Sequence, residues 1–464
     1  MKISTMSPVF SRASGTATRN QLLNMKKTGG FYSVILVSVL LINNGCIQKT
    51  AQQNETEVNP TFTLTKTEKF KFNSFVDCNM AEAWIGDTLR IFPGKYGEDP
   101  VWGNAKELKY ADGINAEEVF LTPREKFKDP IMPKNTPPGT EGLHGAVWFE
   151  TVYQDTADVT GKTLFGIYHN ENYPETLPFD PSTGLGYKNM NWPEGLRGPQ
   201  SAAAVCRIGV MKSIDGGKSW NNNGIFIEDL QPRMILLPHN KSKTFAGGVG
   251  DPSAVRSGEY LYLFYGEYSY PVAYDSTRYN EEIEANGQCI SVARIRVADL
   301  DNPLGKAMRW NGQAFTANHD AAGTPIPSLQ IPRTEGGGAA SIKGQYHWGP
   351  SVSWNYYLNC WVMLMGKVED YSWRGSSIYI SFNKNKDLGK GDNAIKWSKP
   401  TLLLTKPGRV LWYPALQPMN TPEDITNKNT CLKLGKKARL FVKDSEANEY
   451  SSEYVIEFSA GRQP

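Results

Sequence analysis

The chain alternates between short apolar runs and clusters of Gly, Pro, Asn and Asp, with no long amphipathic helix and no heptad pattern. Tyr260 to Tyr265 (YLYLFY) and Trp361 to Met365 (WVMLM) are typical runs, rich in aromatic and apolar side chains. A turn precedes each of them, Ser257-Gly258-Glu259 in one case and the stretch around Asn355 in the other. Before each turn lies a second run, made of small residues. Short apolar runs bounded by turn formers predict strands joined in hairpins.

The same unit recurs along the chain. Gly250-Asp251-Pro252-Ser253-Ala254-Val255 opens one copy and Trp348-Gly349-Pro350-Ser351-Val352-Ser353 opens another. Asp77 to Ala83 pairs with Leu89 to Phe92 across Gly86-Asp87, His144 to Trp148 with Leu164 to Tyr168, and Trp412 to Leu416 with Ala438 to Val442. Further strand-like runs follow, such as Ala204 to Met211, Ile290 to Val297 and Ser377 to Phe382. Each unit then holds about four short strands, the content of one propeller blade. Copies begin near residues 77, 145, 251, 349 and 412. The pattern predicts an all-β fold, a five-bladed β-propeller. A six-bladed closure is the alternative, because the interval from 145 to 251 is long.

Ser213-Ile214-Asp215-Gly216-Gly217-Lys218-Ser219-Trp220 resembles the Asp-box, S-x-D-x-G-x-T-W, with Ser219 in place of Thr. Such a box predicts a hairpin turn in which Asp215 accepts backbone N–H groups, the glycines take positive φ and Trp220 packs beneath. The box is structural; its frequency in sialidases and other glycan-active propellers is association only.

One apolar run differs from the rest. Phe31 to Ile42 carries no charge, follows Lys26-Lys27 and precedes Asn43-Asn44-Gly45-Cys46. At about a dozen residues it is shorter than the roughly 20 of a membrane span. A basic start, an apolar centre and a small residue at the cut predict a secretory signal over residues 1–45. Gly45-Cys46 resembles a bacterial lipobox, which implies lipidation at Cys46 and an anchored protein in the cell envelope, on the outer membrane. Met25 is itself a good start for the signal, so residues 1–24 read as an over-extended beginning. Residues 46–66 are mostly polar and read as a flexible tether, with the propeller over 67–464.

Lys and Arg number 50 against 47 Asp and Glu. The signal holds five of the basic residues and no acidic one, so the remainder is near neutral. That balance excludes a nucleic-acid partner and leaves the lipid as the only membrane contact. Cys78, Cys206, Cys289, Cys360 and Cys431 lie far apart, without metal-ligand spacing, so no metal site and no required cofactor is predicted. They read as mostly buried small residues, with one disulfide allowed by the compartment.

In a propeller, the start of each innermost strand and the loop after the second strand face one central pocket. The starts carry Asp77, His144, Asp251, His347 with Trp348, and Trp412 with Tyr413. The loops carry His169-Asn170-Glu171 and Glu267-Tyr268. Two carboxyls at such a pocket can cleave a glycosidic bond, one protonated by burial and donating, the other activating water or attacking the sugar. Asp77 and Asp251, with Glu267 or Glu171 as acid, are the catalytic candidates. His144, His169, His347, Trp348, Trp412, Tyr413 and Arg207 are the substrate-binding candidates.

The blade openings Gly-Asp-Pro-Ser-Ala-Val and Trp-Gly-Pro-Ser-Val-Ser-Trp-Asn resemble those of five-bladed propeller glycoside hydrolases of the family 43, 32 and 117 type. By architecture the resemblance spans roughly residues 70–460. It implies a first-blade Asp as base or nucleophile (Asp77), a later Asp that tunes pKa (Asp251) and a Glu as acid (Glu267). It also makes a structural Ca²⁺ in the central channel compatible with the fold. The Glu-Gly-Pro acid motif is absent, and blade 4 reads His347-Trp348-Gly349-Pro350 instead.

The resulting expectation is a glycoside hydrolase acting on oligosaccharides or polysaccharides. Three alternatives stand beside it. A lyase or dehydratase on uronic-acid-containing oligosaccharides would use His144, His169, His347 or Tyr413 as base and Arg207, Arg374 or Arg409 to neutralise the carboxylate. A sialidase-like hydrolase and a non-catalytic glycan-binding lipoprotein are the others.

Overall fold

Every predicted hairpin forms, and the strands assemble blade by blade. The computed structural model describes residues 59–74, 76–98, 105–133, 143–174, 204–228, 245–268, 288–317, 323–331, 345–369 and 373–460. The chain enters through strand β1 (Thr61–Lys71). Blade 1 is β2 (Glu82–Ile85), β3 (Thr88–Ile91) and β6 (Ala111–Gly113), followed by the short helix α1 (Ala116–Leu121); between β3 and β6 the chain runs out through β4 (Lys95–Glu98) and β5 (Ala105–Lys106), a pair that joins the first strand of blade 2 through β4. Blade 2 is β7 (Leu143–Gln154), β8 (Leu164–Pro174), β9 (Ala204–Ser213) and β10 (Asn221–Ile227). Blade 3 is β11 (Phe245–Ser257), β12 (Tyr260–Glu267), β13 (Cys289–Arg296), β14 (Met308–Trp310) and β15 (Phe315–Thr316). Blade 4 is β16 (Tyr346–Asn355), β17 (Cys360–Val368), β18 (Ser377–Asn383) and β19 (Thr401–Thr405). Blade 5 is β20 (Leu411–Pro418), β22 (Lys437–Asp444) and β23 (Glu449–Ser459), while the short β21 (Lys433–Leu434) pairs back onto β16.

The ring closes by a loan from the N-terminal end. β1 pairs antiparallel with β23 and completes blade 5 in the order β1-β23-β22-β20. This corrects the boundary read from sequence, which placed 46–66 in the tether. Thr61 to Lys66 is a strand in register with Tyr454 to Ser459. Its polar composition hides a period of two, with Phe62 and Leu64 packed against the core between blades 4 and 5.

Apolar clusters fill the spaces between consecutive blades. Ile167, Val210 and Leu263 share one between blades 2 and 3, and Phe264, Val292 and Met363 one between blades 3 and 4. Val362, Ile380 and Leu440 join blades 4 and 5, Trp84, Leu89 and Phe441 join 5 and 1, and Phe92, Phe149 and Tyr168 join 1 and 2. Five interfaces among five blades make a closed ring, so the five-bladed reading stands and the six-bladed alternative falls.

The Asp-box forms the turn its residues predict. Asp215 Oδ1 accepts the N–H groups of Lys218 (3.0 Å) and Ser219 (2.9 Å). Gly217 sits at φ 85°, where a Cβ would meet the Phe92 ring at 2.4 Å. Trp220 lies buried beneath, edge-on to Phe92 and Phe149, which fastens the turn of blade 2 to blade 1. The five cysteines of the described residues are all free and buried, with no disulfide among them. Among the described residues no helix is long and apolar enough to cross a membrane, and the segment 1–58, in which the signal and the lipidated Cys46 are expected, lies outside them.

Candidate active site

A bulge near the start of the innermost strands turns side chains toward the axis. In β11 the register against β12 shifts between Gly250 and Ser253, in β16 against β17 between Trp348 and Ser351, and in β20 against β22 between Trp412 and Ala415. The bulged residues are Asp251-Pro252, Gly349-Pro350 and Tyr413-Pro414. The first of each pair has positive φ: 47°, 57° and 46°. In β7 the shift lies between Phe149 and Thr151, so the bulged residue is Glu150. An extra residue in one strand re-aims the side chain that it carries.

Hydrogen bonds then stitch the blades together at the axis. The Asn79 N–H of blade 1 donates to Glu150 Oε2 of blade 2 (2.8 Å), and its side-chain amide donates to the Pro350 carbonyl of blade 4 (3.2 Å). The Asp251 N–H of blade 3 donates to His169 Nδ1 of blade 2 (3.0 Å). Gly250 makes that approach possible, since a Cβ there would lie 2.3 Å from His169 Nδ1. The hydroxyls of Tyr268 and, from blade 5, Tyr413 (3.4 Å) donate to the Asp251 carboxylate.

Three carboxyls therefore gather: Asp77 of blade 1, Glu150 of blade 2 and Asp251 of blade 3. Asp77 is half-buried, whereas Glu150 and Asp251 are 2% and 4% exposed. Burial pushes Asp251 up to about 6, against the pull of the two phenol hydrogen bonds. Glu150 is held well above the usual carboxyl range by burial and by the Asp251 charge, with the Asn79 N–H opposing. Burial raises Asp77 as well; Lys443 pulls it down, Asp251 raises it and Lys95 pulls it down. Buried like charges that feel one another do not all ionise together, so the cluster keeps a proton at neutral pH.

The neighbours are tuned too. Burial lowers His169 to about 3, so the ring is neutral. Nδ1 accepts from Asp251, which leaves the proton on Nε2, 3.9 Å from Glu171 Oε1. Burial, followed by the Asp251 charge, holds the Tyr268 and Tyr413 phenols well above 10, so both are donors and not bases at neutral pH. Trp348 packs edge-on against Trp373, Trp412 and Tyr413, with centroids 5.0, 6.0 and 5.4 Å away. Trp412 is the half-buried member, and its indole N–H donates to the Trp373 carbonyl (2.7 Å).

The other candidates fall elsewhere. Glu267 is fully buried in an ion pair with Arg309 and accepts the Gly323 N–H (2.7 Å). Its carboxylate bridges strands within blade 3, so the reading of Glu267 as the acid is corrected. His347 binds the Leu329 carbonyl through Nδ1 (2.7 Å) and packs on Tyr379, which makes it a packing histidine between segments and corrects the substrate-contact reading. Buried Arg207 donates to Asn170 Oδ1 (2.9 Å) and lies 3.8 Å from Glu228. Glu171 is half-buried beside His169. The His144 backbone pairs with Tyr173, and its side chain lies outside the described residues. Among the described residues no group of three His, Cys, Asp or Glu side chains is placed to hold a metal.

Sequence reasoning missed Glu150 and Lys443, and it placed Tyr268 in a pocket loop without giving it a role. For Glu150 a signal was present: a lone acid inside the apolar run Val147-Trp148-Phe149-Glu150-Thr151-Val152. A carboxyl in a buried strand is rare unless it is paired or functional.

No protein-family model matches the chain, and no curated protein matches it significantly. Among solved structures it is similar to an arabinanase of Bacillus subtilis at 9% identity and TM-score 0.40, covering 84% of this chain and 96% of that one. It is also similar to an alpha-L-arabinofuranosidase from Lactobacillus brevis (9%, TM-score 0.43, 85% and 95% covered). An endo-arabinase from Bacteroides thetaiotaomicron is similar at 10% identity and TM-score 0.38, with 86% and 99% covered. The five-blade architecture rests on the strand pairing and the inter-blade cores described above.

Proposed function

We propose that this propeller is a glycoside hydrolase that cleaves oligosaccharides at its axis. The observation that carries the reading is the convergence of Asp77, Glu150 and Asp251, one from each of three blades, with protonation set by burial and mutual repulsion. Glycosidic cleavage needs a protonated and an ionised carboxyl at one site. Asp77, the most exposed of the three and the one beside a lysine, is the ionised base or nucleophile. Glu150, which holds the proton of the cluster, is the acid. Asp251, whose carboxylate accepts from Tyr268 and Tyr413, is the charge that tunes both. Trp412, with Trp348 behind it, offers the aromatic face on which a sugar stacks. The anchor at Cys46 is part of the same reading, because it places the pocket outside the cytoplasm.

The test is a screen of glycan oligomers with wild type, Asp251→Ala, Asp77→Asn and Glu150→Gln. Wild type yields reducing ends, Glu150→Gln and Asp77→Asn lose turnover by about 10³-fold or more, and Asp251→Ala loses turnover and shifts the pH profile. Retained turnover in Asp251→Ala sinks the assignment. An unsaturated product absorbing in the ultraviolet identifies elimination instead, and binding without turnover on every glycan identifies a binding protein.

A further inference from the structure

The last blade carries a lysine where surface chemistry would not place one. Lys443 lies in β22, opposite Trp412 of β20 and Tyr450 of β23, and is 3% exposed. Its ammonium donates to the Val76 carbonyl (2.6 Å) and to Asn448 Oδ1 (2.7 Å). Both acceptors are neutral. A buried ammonium needs an opposite charge to offset its desolvation. The hydrogen bond to the Val76 carbonyl brings the ammonium to the residue before Asp77, whose charge acts on it.

We propose that Lys443 is a positioning residue for the reaction: from blade 5 it fixes the backbone that enters blade 1 and supplies the charge that keeps Asp77 ionised. This deepens the hydrolase reading and rests on it for the role of Asp77. The two functions of Lys443 are separable. Holding the Val76 carbonyl requires only a donor, which a neutral amide supplies. Holding Asp77 ionised requires a positive charge. The other groups that act on Asp77 are Asp251, which opposes ionisation, and Lys95 of β4, which favours it. Cys78, Glu150 and Tyr413 lie in the same electrostatic neighbourhood. Lys95 also stacks over the Trp148 ring, 5.5 Å from its centroid. Lys443 outranks Lys95 as the cation that draws Asp77 down.

The proposal is tested by titrating the Asp carboxyl carbons by NMR in the full-length mature protein, with Asp77 assigned from Asp77→Asn. Lys443→Met and Lys443→Gln each raise the Asp77 midpoint by about 1–3 pH units, the usual effect of losing a nearby opposite charge. Lys443→Arg leaves the midpoint near that of the wild type. An unchanged midpoint in Lys443→Gln overturns the proposal. A reciprocal measurement needs no lysine variant: in Asp77→Asn the Lys443 ε-carbon titrates at lower pH than in wild type, and an unchanged titration there also overturns it. On a glycan that the wild type cleaves, the acidic limb of kcat/KM in Lys443→Gln moves up with Asp77. If no glycan is cleaved while the coupling is measured, the hydrolase reading fails and the charge coupling stands.

Discussion

Asp251 and Tyr413 hold the same left-handed backbone conformation, φ 47° and 46°, at the same station of blades 3 and 5, and the Tyr413 hydroxyl donates to the Asp251 carboxylate across 3.4 Å. Each precedes a proline in the bulge that opens its innermost strand. Blade 4 meets the same backbone demand with Gly349. A non-glycine residue in this region costs about 1–2 kcal/mol and persists where surrounding structure enforces it, often at a functional site. Blades 3 and 5 therefore carry strain to aim an acid and a phenol at one point.

That relationship predicts how Asp251 titrates. Tyr413→Phe deletes a hydrogen bond to the ionised form, so the Asp251 midpoint rises above its value of about 6. The long bond makes the rise small, under about one pH unit. Tyr268→Phe, which removes the shorter bond, moves it further. Carboxyl-carbon NMR titration reads both. A fall in either variant, or a larger shift in Tyr413→Phe than in Tyr268→Phe, contradicts the geometry.

Glu82 predicts a pH dependence of stability away from the three carboxyls. It is buried between blades 1 and 5 and accepts the Cys431 N–H, and burial raises it to about 7. A carboxyl raised in the folded state contributes fully below its unfolded value near 4.5, and the contribution is lost as pH rises through about 7. Glu82→Gln keeps an acceptor for Cys431 and abolishes the titration. Relative to wild type, Glu82→Gln gains stability between pH 5 and pH 9, by at most roughly 3 kcal/mol. Urea unfolding at the two pH values measures it, and an equal difference at both would count against the buried acid.

The closing strand predicts where the chain tolerates truncation. A protein beginning at Asn59 melts with the mature form. One beginning at Phe72 lacks β1, leaves β23 an open edge and uncovers the core against which Phe62 and Leu64 pack. It melts at lower temperature or aggregates. Leu64→Ala, at a partly buried position, costs about 1–2 kcal/mol, below the range for a fully buried leucine. Calorimetry on the truncations and the variant checks the series; equal melting of the forms beginning at 59 and 72 would show that β1 does not close the ring.

The sequence by itself determined the blades. Their openings, the hairpin turns and the Asp-box are local features in which spacing, turn chemistry and apolar period act within a few residues. Asp77 and Asp251 were legible for the same reason, since each sits at a blade opening. Only the tertiary structure decided which acids meet. Glu150 reaches the axis because a one-residue bulge turns it there, and Glu267 leaves the list because Arg309, far along the chain, claims it. Lys443 reaches the front of blade 1 because the ring closes blade 5 onto it, and β1 joins the fold because β23 lies beside it. These are contacts between residues distant in sequence. Register and closure set them, and no local pattern encodes either.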